Sequence, residues 1–206
     1  MAFDGWPAEA VAFYVGLEDD NSREYWTSRK AVYQEKVLRP MEALLEELAP
    51  EFGDPKIFRP YRDIRFSSDK TPYKTHIGAT LGGSCYVQLS ADGLSAGAGR
   101  WHLGPDELAG YRAGVAGPDG AEFAAIVATL TGAGVEVHGH GTLKSAPRGY
   151  PADHPRIALL RHKGLTTWRH WNPEPWLSSP DPARKIKDFY RTSAAFCDWL
   201  TAHVGG

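Results

Sequence analysis

The chain has 206 residues, of which 42% are apolar and 23% charged, with a formal charge of −2. That leaves room for one sizeable core and gives too little positive charge for a dedicated non-specific nucleic-acid binder. Two cysteines far apart in sequence, Cys85 and Cys197, exclude zinc ribbons and thioredoxin-type pairs. The first residues carry Asp4 and Glu9 and no basic leader, and Phe123 to Leu130 falls short of the about 20 apolar residues of a membrane span. A single domain over 1–206, cytoplasmic and without a membrane partner, is expected.

In chain order, Pro7 to Leu17 reads as a helix with Pro7 near its first turn. Asn21 reads as the cap of a second helix, with Glu24 completing a capping box. Trp26, Tyr33, Val37, Met41, Leu44 and Leu48 recur at helical spacing, and Pro40 inside the stripe should kink the helix or start a new one. Phe58 to Phe66 reads as extended and Ser67 to Pro72 as a turn. His76 to Leu81, Cys85 to Leu89 and Leu94 to Ala98 read as strands, the last two joined at Asp92-Gly93, whose tolerance of positive φ suits a tight hairpin.

Helices follow at Pro105 to Val115 and Ala121 to Leu130, a short strand at Val135 to Val137, a short helix at Pro155 to His162 and a strand at Leu165 to Trp168. Asp181 and Pro182 open one final helix that buries Ile186, Phe189, Tyr190, Phe196, Cys197 and Leu200. The order predicts an α+β fold: a mainly antiparallel sheet packed against several helices, long ones at both ends. No GxGxxG, GxxxxGK[ST] or GxSxG sequence is present.

Residues 56–75 hold six basic side chains (Lys56, Arg59, Arg62, Arg65, Lys70, Lys74) and two acidic ones (Asp63, Asp69). The window is therefore +4 and leaves −6 for the rest. Alternation along an extended chain puts Arg59, Tyr61, Asp63 and Arg65 on one side, and Arg62, Ile64 and Phe66 on the other. Guanidinium forks and ammonium groups match phosphate or carboxylate oxygens, and Tyr61 and Tyr73 offer stacking surfaces. The competing reading is a network of internal ion pairs that stiffens a strand and turn.

The run Arg62-Asp-Ile-Arg-Phe-Ser-x-Asp69-Lys70-x-Pro-Tyr73-Lys74 resembles the signature of the domain of unknown function 2461 family, conserved uncharacterised bacterial and fungal proteins. Asn21-Ser-Arg-Glu-Tyr-Trp26 resembles an earlier block of that family, and Lys144 with Pro147-Arg148-Gly149-Tyr150 and Asp153-His154-Pro155 a later one. The resemblance spans nearly the whole chain. It implies one domain and brings no activity, cofactor or catalytic residue.

Lys144, Arg148 and Lys163 form a second basic group. His138 and His140 share a side if extended, but no third ligand has metal-site spacing, so no metal and no cofactor are expected. His76 is a candidate acid or base beside the motif. Cys85 and Cys197 read as core thiols, a disulfide being the alternative. Trp168-Arg-His-Trp171 with Pro173 and Pro175 suggests a rigid aromatic ledge; tryptophans of this kind mostly read as core, and ligand stacking by Trp101 or Trp171 is the alternative. The function expected is binding, with turnover left open, of a phosphate-bearing anion by Arg62, Asp63, Arg65, Asp69, Lys70, Tyr73, Lys74, Lys144 and Arg148. The alternatives are a protein or nucleic-acid interaction module, nucleic acid being the less favoured partner, and a purely architectural motif.

Overall fold

The protein is described here by a computed structural model covering residues 3–63 and 70–204. It has an α+β fold whose six strands form an antiparallel sheet in the order β1-β2-β3-β4-β6-β5. The chain divides into two compact units, residues 1–96 with 170–188, and residues 97–169 with 189–206. No helix among the described residues is long and apolar enough to cross a membrane.

In the first unit, α1 (Ala8–Asp19) is followed by α2 (Arg23–Ser28), α3 (Lys30–Val32), a π-helical stretch (Tyr33–Leu38) and α4 (Arg39–Phe52). The cap of α2 is Ser22, whose hydroxyl accepts from the Tyr25 N–H at 3.1 Å. With Ser22 as cap, the third helical position is Tyr25, so Glu24 closes no capping box and the expected role of Asn21 is overturned. Pro40 stands in the first turn of α4. Its ring would crowd the Lys36 carbonyl of a regular α-helix, and the wider π turn before it relieves that clash. Trp26, Tyr33, Val37, Met41, Leu44 and Leu48 are all buried as their spacing predicts.

Strands β1 (Pro55–Ile57), β2 (His76–Leu81), β3 (Cys85–Ser90) and β4 (Gly93–Arg100) follow. Pairing runs from Ile57↔Ala79 in β1/β2 and from His76↔Ser90 to Leu81↔Cys85 in β2/β3. The β3–β4 turn differs from expectation in one respect. Positive φ falls on Gly93 alone, at +116°, while Asp92 keeps a negative φ. A Cβ on Gly93 would also collide with the Trp171 carbonyl, so glycine is required twice over.

The second unit holds α5 (Pro105–Ala116), α6 (Gly120–Gly132), β5 (Glu136–His140), α7 (Ile157–Leu160), most of β6 (Gly164–Trp171) and α9 (Ala194–Val204), and α8 (Asp181–Thr192) begins in the first unit and ends in the second. The single closing helix expected from sequence is two, parted at buried Ser193. Its hydroxyl lies 2.9 Å from Thr167 Oγ1, which also reaches the Ala98 carbonyl at 3.2 Å. A buried hydroxyl needs such a partner. Helices α5, α6 and α9 pack together around Phe123, whose ring stacks on Trp199 at 4.0 Å.

Arg156 closes the end of α5. Its Nε donates to the Val115 carbonyl at 2.6 Å and its Nη2 to the Ala116 and Gly117 carbonyls at 3.1 and 2.9 Å. These carbonyls have no partner within the helix, and a cation there also opposes the helix dipole. Arg156→Ala should cost about 1.5–3 kcal/mol, the range for hydrogen bonds to a charged group, read as a lower urea midpoint at an unchanged slope.

Candidate functional site

The described parts of the motif, residues 58–63 and 70–76, pair antiparallel and continue the β1–β2 pair. Tyr61 and Tyr73 form an antiparallel bridge. The Arg62 N–H donates to the Pro72 carbonyl at 2.9 Å, and the Lys74 N–H to the Pro60 carbonyl at 2.8 Å. These bonds flank the two tyrosines, which are therefore a non-hydrogen-bonded pair, the kind with the closest side chains. Between this pair and Ile57↔Ala79 lie three residues on one strand and five on the other. The second strand thus bulges around residues 75–77, a feature common beside functional sites.

The same pairing turns the N–H and C=O of Tyr73 away from Tyr61, and Asn21 takes both. Its Nδ2 donates to the Tyr73 carbonyl at 3.0 Å, and the Tyr73 N–H donates to its Oδ1 at 3.1 Å. One side-chain amide stands where a neighbouring strand's peptide would. On the ring, Trp26 stacks at 4.4 Å with an interplanar angle of 7°. Phe13 meets Trp26 edge-on at 5.6 Å, and Tyr61 lies 5.5 Å from Tyr73 and 6.2 Å from Trp26. Tyr73 is 5% exposed and Tyr61 51%.

Several cations lie near this aromatic cluster. Burial, with Arg59 and Arg62 beside it, holds the Lys74 ammonium below its ordinary value. Burial, Lys74 and Arg62 do the same to His76. The Lys74 Nζ lies 5.4 Å from the centre of the Phe58 ring. Burial and then Tyr61 raise the Tyr73 phenol, while the charge of Arg23 lowers it. Neither Arg23 nor Arg59 has a carboxylate partner among the described residues. Arg62, Asp63 and Lys70 each have interactions within the protein. The predicted alternation is visible: Arg59, Tyr61 and Asp63 are exposed, and Pro60 and Arg62 half-buried.

Residues 9–199 match the family described as conserved hypothetical protein, the domain of unknown function 2461 family. The chain belongs to that family. No curated protein and no solved structure matches it. The first two sequence blocks by which it resembles the family meet in space: Asn21 and Trp26 from one hold Tyr73 from the other.

The remaining predicted residues fall elsewhere. Arg65 and Asp69 lie outside the described residues, as do Ile64 and Phe66. Lys144 and Arg148 are exposed and belong to the second unit. There, His138 Nε2 is 2.7 Å from Glu136 Oε2, His140 Nε2 2.8 Å from Thr166 Oγ1, and His162 Nδ1 2.8 Å from Thr142 Oγ1. No group of three or more metal-ligating side chains forms among the described residues. Trp101, 71% exposed, lies over His140 with ring centres 3.8 Å apart. Both cysteines are free and half-buried, and burial pushes the Cys85 thiol up to about 11, which leaves it unreactive at neutral pH.

Sequence reasoning missed Asn21 as a clamp. The signal was its neighbour, since Asn21 and Ser22 both suit a helix cap and a helix takes only one. Asn21→Ala should cost about 1–3 kcal/mol by leaving two backbone groups without partners. Asn21→Asp, which keeps only the acceptor, should fall between in a urea-melt series.

Proposed function

We propose that the protein binds a small phosphate-bearing anion at the hairpin formed by residues 58–63 and 70–76. The observation that carries this reading is the placement of Lys74 opposite Pro60, between Arg59 and Arg62 across the ladder. Like charges held together on a narrow two-stranded ribbon repel one another, and an external anion relieves that repulsion. Partly buried cations pair more strongly with an anion than fully exposed ones, because salt and water screen them less. The half-exposed Tyr61 and the exposed guanidinium groups of Arg23 and Arg59 give the ligand an open approach.

Thermal denaturation against a phosphate series tests the reading. Pyrophosphate at 100 times its dissociation constant should add about 2.7 kcal/mol of stability. The gain should vanish in the double variant Arg59→Gln, Lys74→Gln. A wild-type response equal to that of the double variant would remove the proposal. An affinity that falls over many decades with salt would instead favour a long polyanion such as nucleic acid.

His76 supplies a pH test. Its folded value lies below the ordinary 6.5, so just below that pH the folded state holds fewer protons than the unfolded one. Stability contributed by neutral His76 is therefore present at higher pH and is lost as pH falls from the ordinary value to the folded one. A bound anion cancels the field of Lys74 and Arg62, raises His76 and takes up a proton. Sulfate, which does not titrate in this range, should bind more tightly as pH falls from about 7.5 to about 5.5. In His76→Asn that slope should disappear.

A further inference from the structure

We infer that the anion bound at this hairpin carries a flat aromatic ring and belongs to the nucleotide class, the ring lying on the exposed face of Tyr61. This rests on the anion-site reading above and specifies its ligand. Phe13, Trp26, Tyr73 and Tyr61 form one aromatic cluster: Phe13 meets Trp26 edge-on at 5.6 Å, Trp26 stacks on Tyr73 at 4.4 Å, and Tyr61 leans on both, 5.5 Å from Tyr73 and 6.2 Å from Trp26. The first three residues are buried, and Tyr61 is 51% exposed.

A tyrosine braced against buried rings and half exposed is a stacking platform already fixed in place. A flat ligand ring laid on its exposed part joins the aromatic cluster at little cost in side-chain ordering. Tyr73 does not compete for the role, since its ring is enclosed by Trp26 and its backbone held by Asn21. Phe58 is 36% exposed but already has the Lys74 ammonium over its ring.

The charges fit the same ligand. Alternation places Arg59 on the Tyr61 face two residues away, about 7 Å along an extended strand. Arg23, exposed on α2, is close enough to lower the Tyr73 phenol. A ring on Tyr61 with a phosphate attached through a short linker thus has guanidinium groups from two separate elements nearby. Inorganic phosphate or a bare sugar phosphate satisfies the cations and leaves the tyrosine unused.

Isothermal titration of the full chain with ribose 5-phosphate and with a panel of four nucleoside monophosphates tests the inference. At least one nucleotide should bind about tenfold or more tightly than ribose 5-phosphate, the range of one base stacked on an aromatic side chain. Tyr61→Leu should erase that difference, Tyr61→Phe should keep it, and neither should alter ribose 5-phosphate binding. Tyr61 is half exposed, so both variants should fold, which a melt checks. Equal affinity for ribose 5-phosphate and all four nucleotides overturns the ring assignment and leaves the anion site standing. A preference for nucleotides that survives in Tyr61→Leu overturns it as well. Binding of none of these overturns both.

Discussion

The grip of Asn21 and Trp26 on Tyr73 holds the candidate site in the first unit. A two-stranded ribbon is marginal by itself, because half of its backbone groups face outward and few of its side chains are covered. Here the outward groups of Tyr73 close on a carboxamide, and its ring closes on an indole within a buried aromatic set. That contact ties residue 73 to the helical layer more than 40 positions earlier in the chain. Crowded cations weaken the hairpin. The aromatic cluster supplies compensating attraction on the face that bears Tyr61 and Tyr73.

The electrostatics follow from that division of labour. Lys74 and His76 are half-buried, and each is held below its ordinary proton affinity by burial first and by neighbouring cations second. Burial alone would favour neutral groups scattered through a core. The added effect of Arg59 and Arg62 arises because the backbone bonds from Arg62 to Pro72 and from Lys74 to Pro60 fix these residues across one ladder. The charge density is therefore a product of register, and register here is a product of the Tyr61/Tyr73 pair.

Much of the fold was legible because it depends on period. The stripe from Trp26 to Leu48 and the alternation in Cys85–Ser90 each name the buried face without knowledge of partners. What sequence did not show depends on contacts between distant residues. Asn21 looks like a helix cap, and only the presence of Tyr73 makes it a surrogate strand. Ser193 looks like one more helical residue, and only Thr167 shows why the closing helix parts there. At the site, composition singled out the 56–75 window, and alternation sorted Arg59 and Tyr61 from Arg62. Spacing along the chain carried no sign that Arg23 approaches from another element, or that Tyr73 is enclosed while Tyr61 is open.

The bulge at residues 75–77 adds two positions to its strand, an even number. Side chains alternate with a period of two, so the surplus leaves the facing of Tyr73 in phase with that of Ala79 while displacing the pairing by one pleat. An insertion or deletion of a single residue between those positions would exchange the two faces of the ribbon, turning Lys74 toward Trp26 and Tyr73 toward water. A change of two would only resize the loop-out. Length changes in this stretch should therefore be tolerated in steps of two and disruptive in steps of one.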